Sequence, residues 1–278
     1  MSRNDVLSKL PQITLGFWIM KICATTLGET AGDLLSMTLN IGYTVSSIIL
    51  FSAFLVVLVT QVLSKKYHPF LYWSVILATS TAGTTMSDFM DRTLGLGYMK
   101  GSMILLGILL AIFTYWYFSD HSMSVAEVRT RKVEVLYWVA ILFSNTLGTA
   151  MGDFLADDSG LGFVGGAALI GSLIAAVAAA AYFTRISKVL LFWIAFVLTR
   201  PFGATFGDVL TKGPDLGGVG FGTIGSSLVL GGILIVGVVI TLVTLQRQAA
   251  LQPAYVPADQ PAASDGFDLA SRAVGERP

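Results

Sequence analysis

Four aspartates stand at equivalent places in this chain, each closing a short segment of glycines and small polar residues. The segments are Thr26-Leu-Gly-Glu-Thr-Ala-Gly-Asp33, Thr81-Ala-Gly-Thr-Thr-Met-Ser-Asp88, Thr146-Leu-Gly-Thr-Ala-Met-Gly-Asp153 and Pro201-Phe-Gly-Ala-Thr-Phe-Gly-Asp208. Carboxylate, hydroxyl and carbonyl oxygens are hard ligands that suit Mn, Mg, Ca or protons, whereas Zn and Cu prefer imidazole and sulfur. The candidate cation ligands are therefore Asp33, Asp88, Asp153 and Asp208, joined by Glu29 at the fourth position before the first aspartate. Thr84 and Thr149 occupy the same position in the second and third copies, and Thr26, Thr81 and Thr146 lie seven residues before their aspartates. On a helix the positions at −7, −4 and 0 share one face, so each of these copies presents a stripe of oxygen. His68 and His121 fall in connections or at helix ends and read as solvated. Met86 and Met151 lie two positions before an aspartate, which turns them away from it.

The fourth copy departs from the others. Arg200-Pro201 replaces Thr25-Thr26, Ser80-Thr81 and Asn145-Thr146, and Ala204 replaces the oxygen side chains at −4. An arginine in an apolar helix requires a carboxylate partner, and Glu29 or one of the aspartates is the expected one. Arg200 would then be a fixed counter-charge that limits how tightly the site holds a cation, or a fork for an anionic substrate. Proline is expected to kink or open its helix. Lys21 is the other basic residue inside an apolar stretch, read either as a second charge partner or as a side chain snorkelling to the surface.

The elements that must position these residues are helices. Eight apolar stretches, at about 14–35, 43–63, 70–90, 99–119, 134–155, 163–183, 189–210 and 223–246, are long enough to cross a hydrocarbon core of about 30 Å. The 278 residues are 54% hydrophobic and 12% charged, with a mean hydropathy of +0.75, which places the chain among integral membrane proteins. Seventeen Lys+Arg balance seventeen Asp+Glu, so no basic footprint points to nucleic acid. The single cysteine, Cys23, excludes a disulfide framework. The polar N-terminus, Met1 to Leu10, lacks the apolar run of a signal peptide, so the first helix is expected to be retained.

Trp18, Trp73, Trp138 and Trp193 each lie 15 residues before a motif aspartate. Taken as interface anchors, they put the aspartates ~22 Å further along a straight helix, towards the opposite surface. The aspartates are separated by 55, 65 and 55 residues, so each repeat is a two-helix hairpin, at about 14–63, 70–119, 134–183 and 189–246. All four hairpins then run the same way, giving a parallel repeat with pseudo-fourfold symmetry. Gly28 and Gly32, Gly83 and Ser87, Gly148 and Gly152, and Gly203 and Gly207 are small-xxx-small pairs whose plain role is close helix packing. An opened turn at these glycines would also offer carbonyl oxygens.

Arg3, Lys9, Lys65, Lys66, Arg129, Arg131, Lys132, Arg185, Lys188, Arg247, Arg272 and Arg277 fall on one side when eight helices are threaded, and only Arg92, Lys100 and Lys212 fall on the other. Both termini are therefore expected in the cytoplasm. Residues 1–246 form one transmembrane domain, and the polar 247–278 reads as a disordered tail. Asp91, Asp157, Asp158 and Asp215 lie in the short connections on the far side, as a negative vestibule or as solvated loop residues.

The fourfold Gly-x-x-x-(Gly/Ser)-Asp segments with their tryptophans resemble an uncharacterised bacterial family of multi-spanning membrane proteins, described generically as membrane-anchored. The resemblance spans nearly all of 14–246 and implies a multi-pass protein of the bacterial inner membrane; it brings no catalytic or binding residues with it.

The absence of a Walker A sequence, a His-Glu-x-x-His pair, a Gly-x-Ser-x-Gly elbow and a cysteine cluster argues against an ATP-driven pump or a familiar hydrolase, so no enzymatic activity is expected. The leading expectation is a secondary transporter of a small inorganic cation, a divalent metal such as manganese, with proton exchange as a candidate driving force. Its partners are the lipid bilayer and the cation, and oligomerisation is left open. The alternatives are a cation channel, for which a parallel fourfold ring offers a pore, and a non-transporting scaffold. An organic-anion transporter using Arg200 ranks below these.

Overall fold

A computed structural model of the chain describes residues 10–64, 66–121, 123–125, 128 and 130–251. Arg3, Lys9, Lys65, Arg129, Arg272 and Arg277, most of Met1 to Leu10 and the polar tail from 252 onward lie outside them. The eight apolar stretches are eight helices: α1 (Leu15–Asp33), α2 (Tyr43–Leu63), α3 (Pro69–Asp88), α4 (Tyr98–Asp120), α5 (Arg131–Asp153), α6 (Gly162–Phe183), α7 (Lys188–Thr211) and α8 (Gly222–Leu251). Local chemistry sets several of their starts. Thr14 and Thr130 accept hydrogen bonds from Phe17 and Val133 N–H at 3.3 Å, and Pro69 opens α3, where its missing N–H is no loss. α8 runs past 246 because Gln246-Arg-Gln-Ala-Ala-Leu251 is made of good helix formers. The chain divides into two compact units, one ending at Leu242 and one beginning at Val243; the described part of the second is helical.

Three of the motif aspartates are followed by a π-helical turn: Leu34–Thr38, Phe89–Thr93 and Phe154–Asp158. The helices therefore stay closed through the glycine pairs and widen only beyond the aspartates. α7 likewise runs unbroken through Pro201 and lacks the wide turn. In the first three repeats the chain then reverses through two residues of positive φ, Asn40 and Gly42, Gly95 and Gly97, and Gly160 and Gly162, and in the fourth through Gly217, Gly220 and Gly222. Glycine takes this conformation freely, and asparagine is one of the few other residues that tolerate it.

The odd-numbered helices form a closed ring, α1 on α3, α3 on α5, α5 on α7 and α7 on α1. Glycines set their approach. A Cβ on Gly83 would lie 3.0 Å from the Cβ of Asn145, and one on Gly203 would lie 2.8 Å from the carbonyl carbon of Thr25. Gly28 abuts Ser80, and Gly148 abuts Arg200, in the same way. The second small position repeats the pattern one turn on, with Gly32 against Thr84, Gly152 against Ala204 and Gly207 against Glu29. Equivalent positions thus meet at the same level all round, which makes the four inner helices parallel.

Each even-numbered helix packs on the inner helix of the following repeat: α2 on α3, α4 on α5 and α6 on α7. The circle closes where Cys23 Sγ donates to the Leu230 carbonyl at 3.1 Å and Ser227 bonds Thr30 at 2.9 Å, seating the first part of α8 on α1. Among the described residues, six helices are long and apolar enough to cross a membrane. The four outer ones have mean hydropathies of 1.8 to 2.8, against 1.3 and 1.7 for α5 and α7. α1 and α3, richer in polar residues, fall below that measure and are held inside the ring.

Because the inner helices touch through their glycines, Gly83→Leu should overpack the α3–α5 contact and destabilise the fold by about 1–3 kcal/mol. Gly107→Leu on α4, with open space around it, should change stability by less than ~0.5 kcal/mol. Thermal unfolding of the detergent-purified variants measures both; equal losses would contradict this packing.

Candidate functional site

Contacts across the ring join residues spaced four apart along each inner helix, so the i, i+4 rows face the ring axis. Such rows are inclined to the helix axis, and the helices must cross at an angle for them to stay central. From one end to the other the layers are Phe17, Tyr72, Tyr137 and Phe192; Lys21, Ile76, Ile141 and Phe196; Thr25, Ser80, Asn145 and Arg200; Glu29, Thr84, Thr149 and Ala204; and the four aspartates.

The first layer is aromatic. The Tyr72 and Tyr137 hydroxyls share a hydrogen bond of 2.9 Å, and their rings pack on Trp73, Trp138 and Trp193. These three tryptophans are buried, so the anchor role expected of them at a lipid surface is corrected. They are held between neighbouring inner helices, and the Trp193 indole donates to the Met123 carbonyl at 3.0 Å. Lys21 is corrected as well. It is fully buried, its ammonium sits 4.0 Å from the centre of the Phe196 ring, and no hydrogen-bond partner reaches it. It neither snorkels nor pairs with a carboxylate among the described residues, because the ring of helices closes around it.

Arg200, also fully buried, fills the middle of the ring. Its Nη2 donates to Glu29 Oε2 at 2.9 Å, to Thr149 Oγ1 at 2.7 Å, to the Ser80 carbonyl at 3.4 Å and to Thr84 Oγ1. Nη1 reaches the Thr25 carbonyl at 3.4 Å. Of the partners open to Arg200 in the sequence, the structure supplies Glu29, together with Thr84 and Thr149 from two further helices. Thr26, Thr81 and Thr146 are not part of this layer: their hydroxyls turn back on the carbonyls of Ile22, Leu77 and Leu142 in their own helices.

Asp33, Asp88, Asp153 and Asp208 form the last layer, each nearly buried with 2 to 6% exposure. Two basic residues that sequence reasoning left in the connections belong here. Arg92 pairs with Asp88 at 3.1 Å and reaches across to Asp153 at 3.5 Å; Lys212 pairs with Asp208 at 3.4 Å. Both stand four residues after an aspartate, and that i, i+4 spacing is the signal that would have found them. Burial opposes charge on Lys212, but Asp208 and Asp33 outweigh it and hold its ammonium above the ordinary pKa. Asp33 has no ion-pair partner among the described residues, and Asp88, Asp208 and Lys212 lie within electrostatic reach of it. Asp91 points elsewhere, against Gly101 of α4 with Ser87 donating to it at 3.2 Å. Among the described residues no three acidic, imidazole or thiol side chains converge to chelate one metal ion, so the acids make a ring around the axis and Glu29 is committed to Arg200.

Truncating one partner of a buried ion pair leaves the other uncompensated, at about 3–5 kcal/mol. Arg200→Met and Glu29→Gln should each lower stability by that order, and the double variant should lose clearly less than the two together. A double-mutant cycle on thermal unfolding measures the coupling, and strict additivity would exclude the pair as a stabilising unit.

No curated protein and no solved structure matches the chain significantly. A family model does, over residues 16–67, 71–122, 136–187 and 191–247, one inner–outer hairpin in each segment. With four matched segments covering most of its length, the chain belongs to the family described as Repeat of Unknown Function (DUF347).

Proposed function

We propose that this is a multi-pass protein of the bacterial inner membrane, with both termini in the cytoplasm, and that it works as a secondary transporter of a small inorganic cation of the Mn2+ class. The observation that carries the proposal is the layer of four nearly buried aspartates at one end of the ring axis. Intramembrane carboxylates are expensive and mark ion pathways, and rings of them select cations. The charge count favours a divalent ion: four carboxylates against Arg92 and Lys212 leave two negative charges. Among the described residues Asp33 is the aspartate without an ion pair, and aspartate oxygens suit hard cations that keep part of their hydration. A ring that does not close into a chelate holds such an ion loosely enough to release it.

The orientation rests on the basic residues. Lys66, Arg131, Lys132, Arg185 and Lys188 flank the aromatic end of the helices, which makes that end cytoplasmic and the aspartate end external. Arg200 in the middle and the aromatic layer below it occupy the axis, which supports a gated carrier over an open pore. Proton exchange is one candidate driving force.

Proteoliposomes loaded with a metal-sensitive dye test the reading. Mn2+ influx should fall at least tenfold with Asp33→Asn, equivalent to ~1.4 kcal/mol of lost binding, and Asp158→Asn in the exposed connection should leave it unchanged. Flux no greater than that of protein-free vesicles for Mn2+, Mg2+, Ca2+ and Co2+ would sink the proposal.

A further inference from the structure

The surroundings of Arg200 Nη2 are those of an ion. Four oxygens from three helices approach this single nitrogen: Glu29 Oε2 on α1, the Ser80 carbonyl and Thr84 Oγ1 on α3, and Thr149 Oγ1 on α5. A guanidinium NH2 has two hydrogens and can serve two of them well. The Nε–H of the same guanidinium is buried without a partner among the described residues, so arginine leaves one donor unmet while one nitrogen is over-subscribed. The hydroxyls have their own hydrogens placed elsewhere. Thr149 can donate to the Asn145 carbonyl at 3.4 Å, and Thr84 to Glu29 or to the Ser80 carbonyl at 3.2 Å, which frees lone pairs for the centre of the cage. One carboxylate, two hydroxyls and one carbonyl are a hard-oxygen donor set with a single negative charge.

We infer that this cage is a second, inner cation site, that Arg200 is its tethered occupant, and that a free monovalent cation takes the same oxygens when Arg200 withdraws. The charge decides the class of ion. Glu29 is the cage's one acid, so a monovalent ion replaces the guanidinium charge for charge, whereas a divalent ion would add a positive charge to a centre that also holds the buried Lys21. The fourth repeat carries the tether, with Ala204 in place of an oxygen ligand at the level of the cage, and Gly148 of the third repeat gives the arginine stem its room. The inference rests on the transport reading for its role, in which this ion is the coupling ion and exchange with Arg200 links it to the aspartate layer. Its binding stands apart from transport.

The test is therefore a binding measurement. Purified Arg200→Ala and Arg200→Gln, kept in choline chloride at constant ionic strength, are titrated with NaCl, KCl, NH4Cl or MgCl2 while thermal unfolding is followed. At ~100-fold excess over the dissociation constant, at least one monovalent ion should raise Tm by roughly 5 °C. The wild type and Glu29→Gln/Arg200→Gln should show no such rise. Arg200→Gln keeps a polar side chain against the threonines and serves if Arg200→Ala fails to fold. A flat response of the folded variants to all three monovalent ions, or an equal response of the double variant, overturns the inference. Transport that fails in wild type while the ion-specific rise persists would remove the carrier reading and leave the site.

Discussion

A guanidinium with no exposure to solvent sits where four helices meet, and the arrangement of the molecule follows from having to match it. Arg200 is held by a carboxylate, two hydroxyls and two carbonyls drawn from three other helices. Such contacts require the inner helices to approach closely enough for a side chain on one to touch the other three. Glycines at −5, with small residues at −1, provide that approach by letting backbone meet side chain directly. The same closeness drives the i, i+4 rows onto the axis, which stacks the aromatic, mixed, charged and acidic layers in order.

Polarity in this fold is sorted by radius. The inner helices carry nearly all the buried polar groups, and the outer helices present apolar side chains outward, with only 11 to 22% of their spanning windows buried. Since each outer helix covers the inner helix of the next repeat, a single hairpin does not contain its own packing partner. Ring closure between α8 and α1 supplies the last one. This explains why α1 can hold Glu29 and Asp33 within the bundle: its charged row faces the other inner helices rather than the outer surface, and Lys21 on the same row lies over the Phe196 ring.

The departures from fourfold symmetry fall where charge is handled. Arg200 and Ala204 alter the inner layer, Glu29 meets them from the first repeat, and Arg92 and Lys212 stand in two of the four quarters of the aspartate layer. Among the described residues the quarter at Asp33 holds no ion pair. The missing wide turn after Asp208 belongs to the same pattern, since Lys212 follows there directly as the helix cap.

Much of this was legible in the residues themselves. Eight apolar stretches, a repeat of 55 to 65 residues, the parallel sense of the hairpins and the glycine faces are all one-dimensional patterns, and helical periodicity converts them to structure. The acids and Arg200 stood out because charge in an apolar helix is rare. What needed the tertiary structure was every statement about which neighbour a side chain meets. Periodicity read as a straight 3.6-residue helix put the −7 threonines on the functional face, whereas inclined packing brings the four-residue rows to the centre. It placed Trp73, Trp138 and Trp193 at a surface, and left Lys21 either snorkelling or paired with a carboxylate, where the ring encloses all four side chains. The sequence alone thus determined how many helices there are, how they repeat and which residues carry charge. Only the three-dimensional ring decided that Glu29 and Arg200 are partners, that Arg92 and Lys212 reach the aspartates and that Asp33 has no ion pair among the described residues, because those outcomes depend on crossing angle and on contacts between residues as far as 171 positions apart.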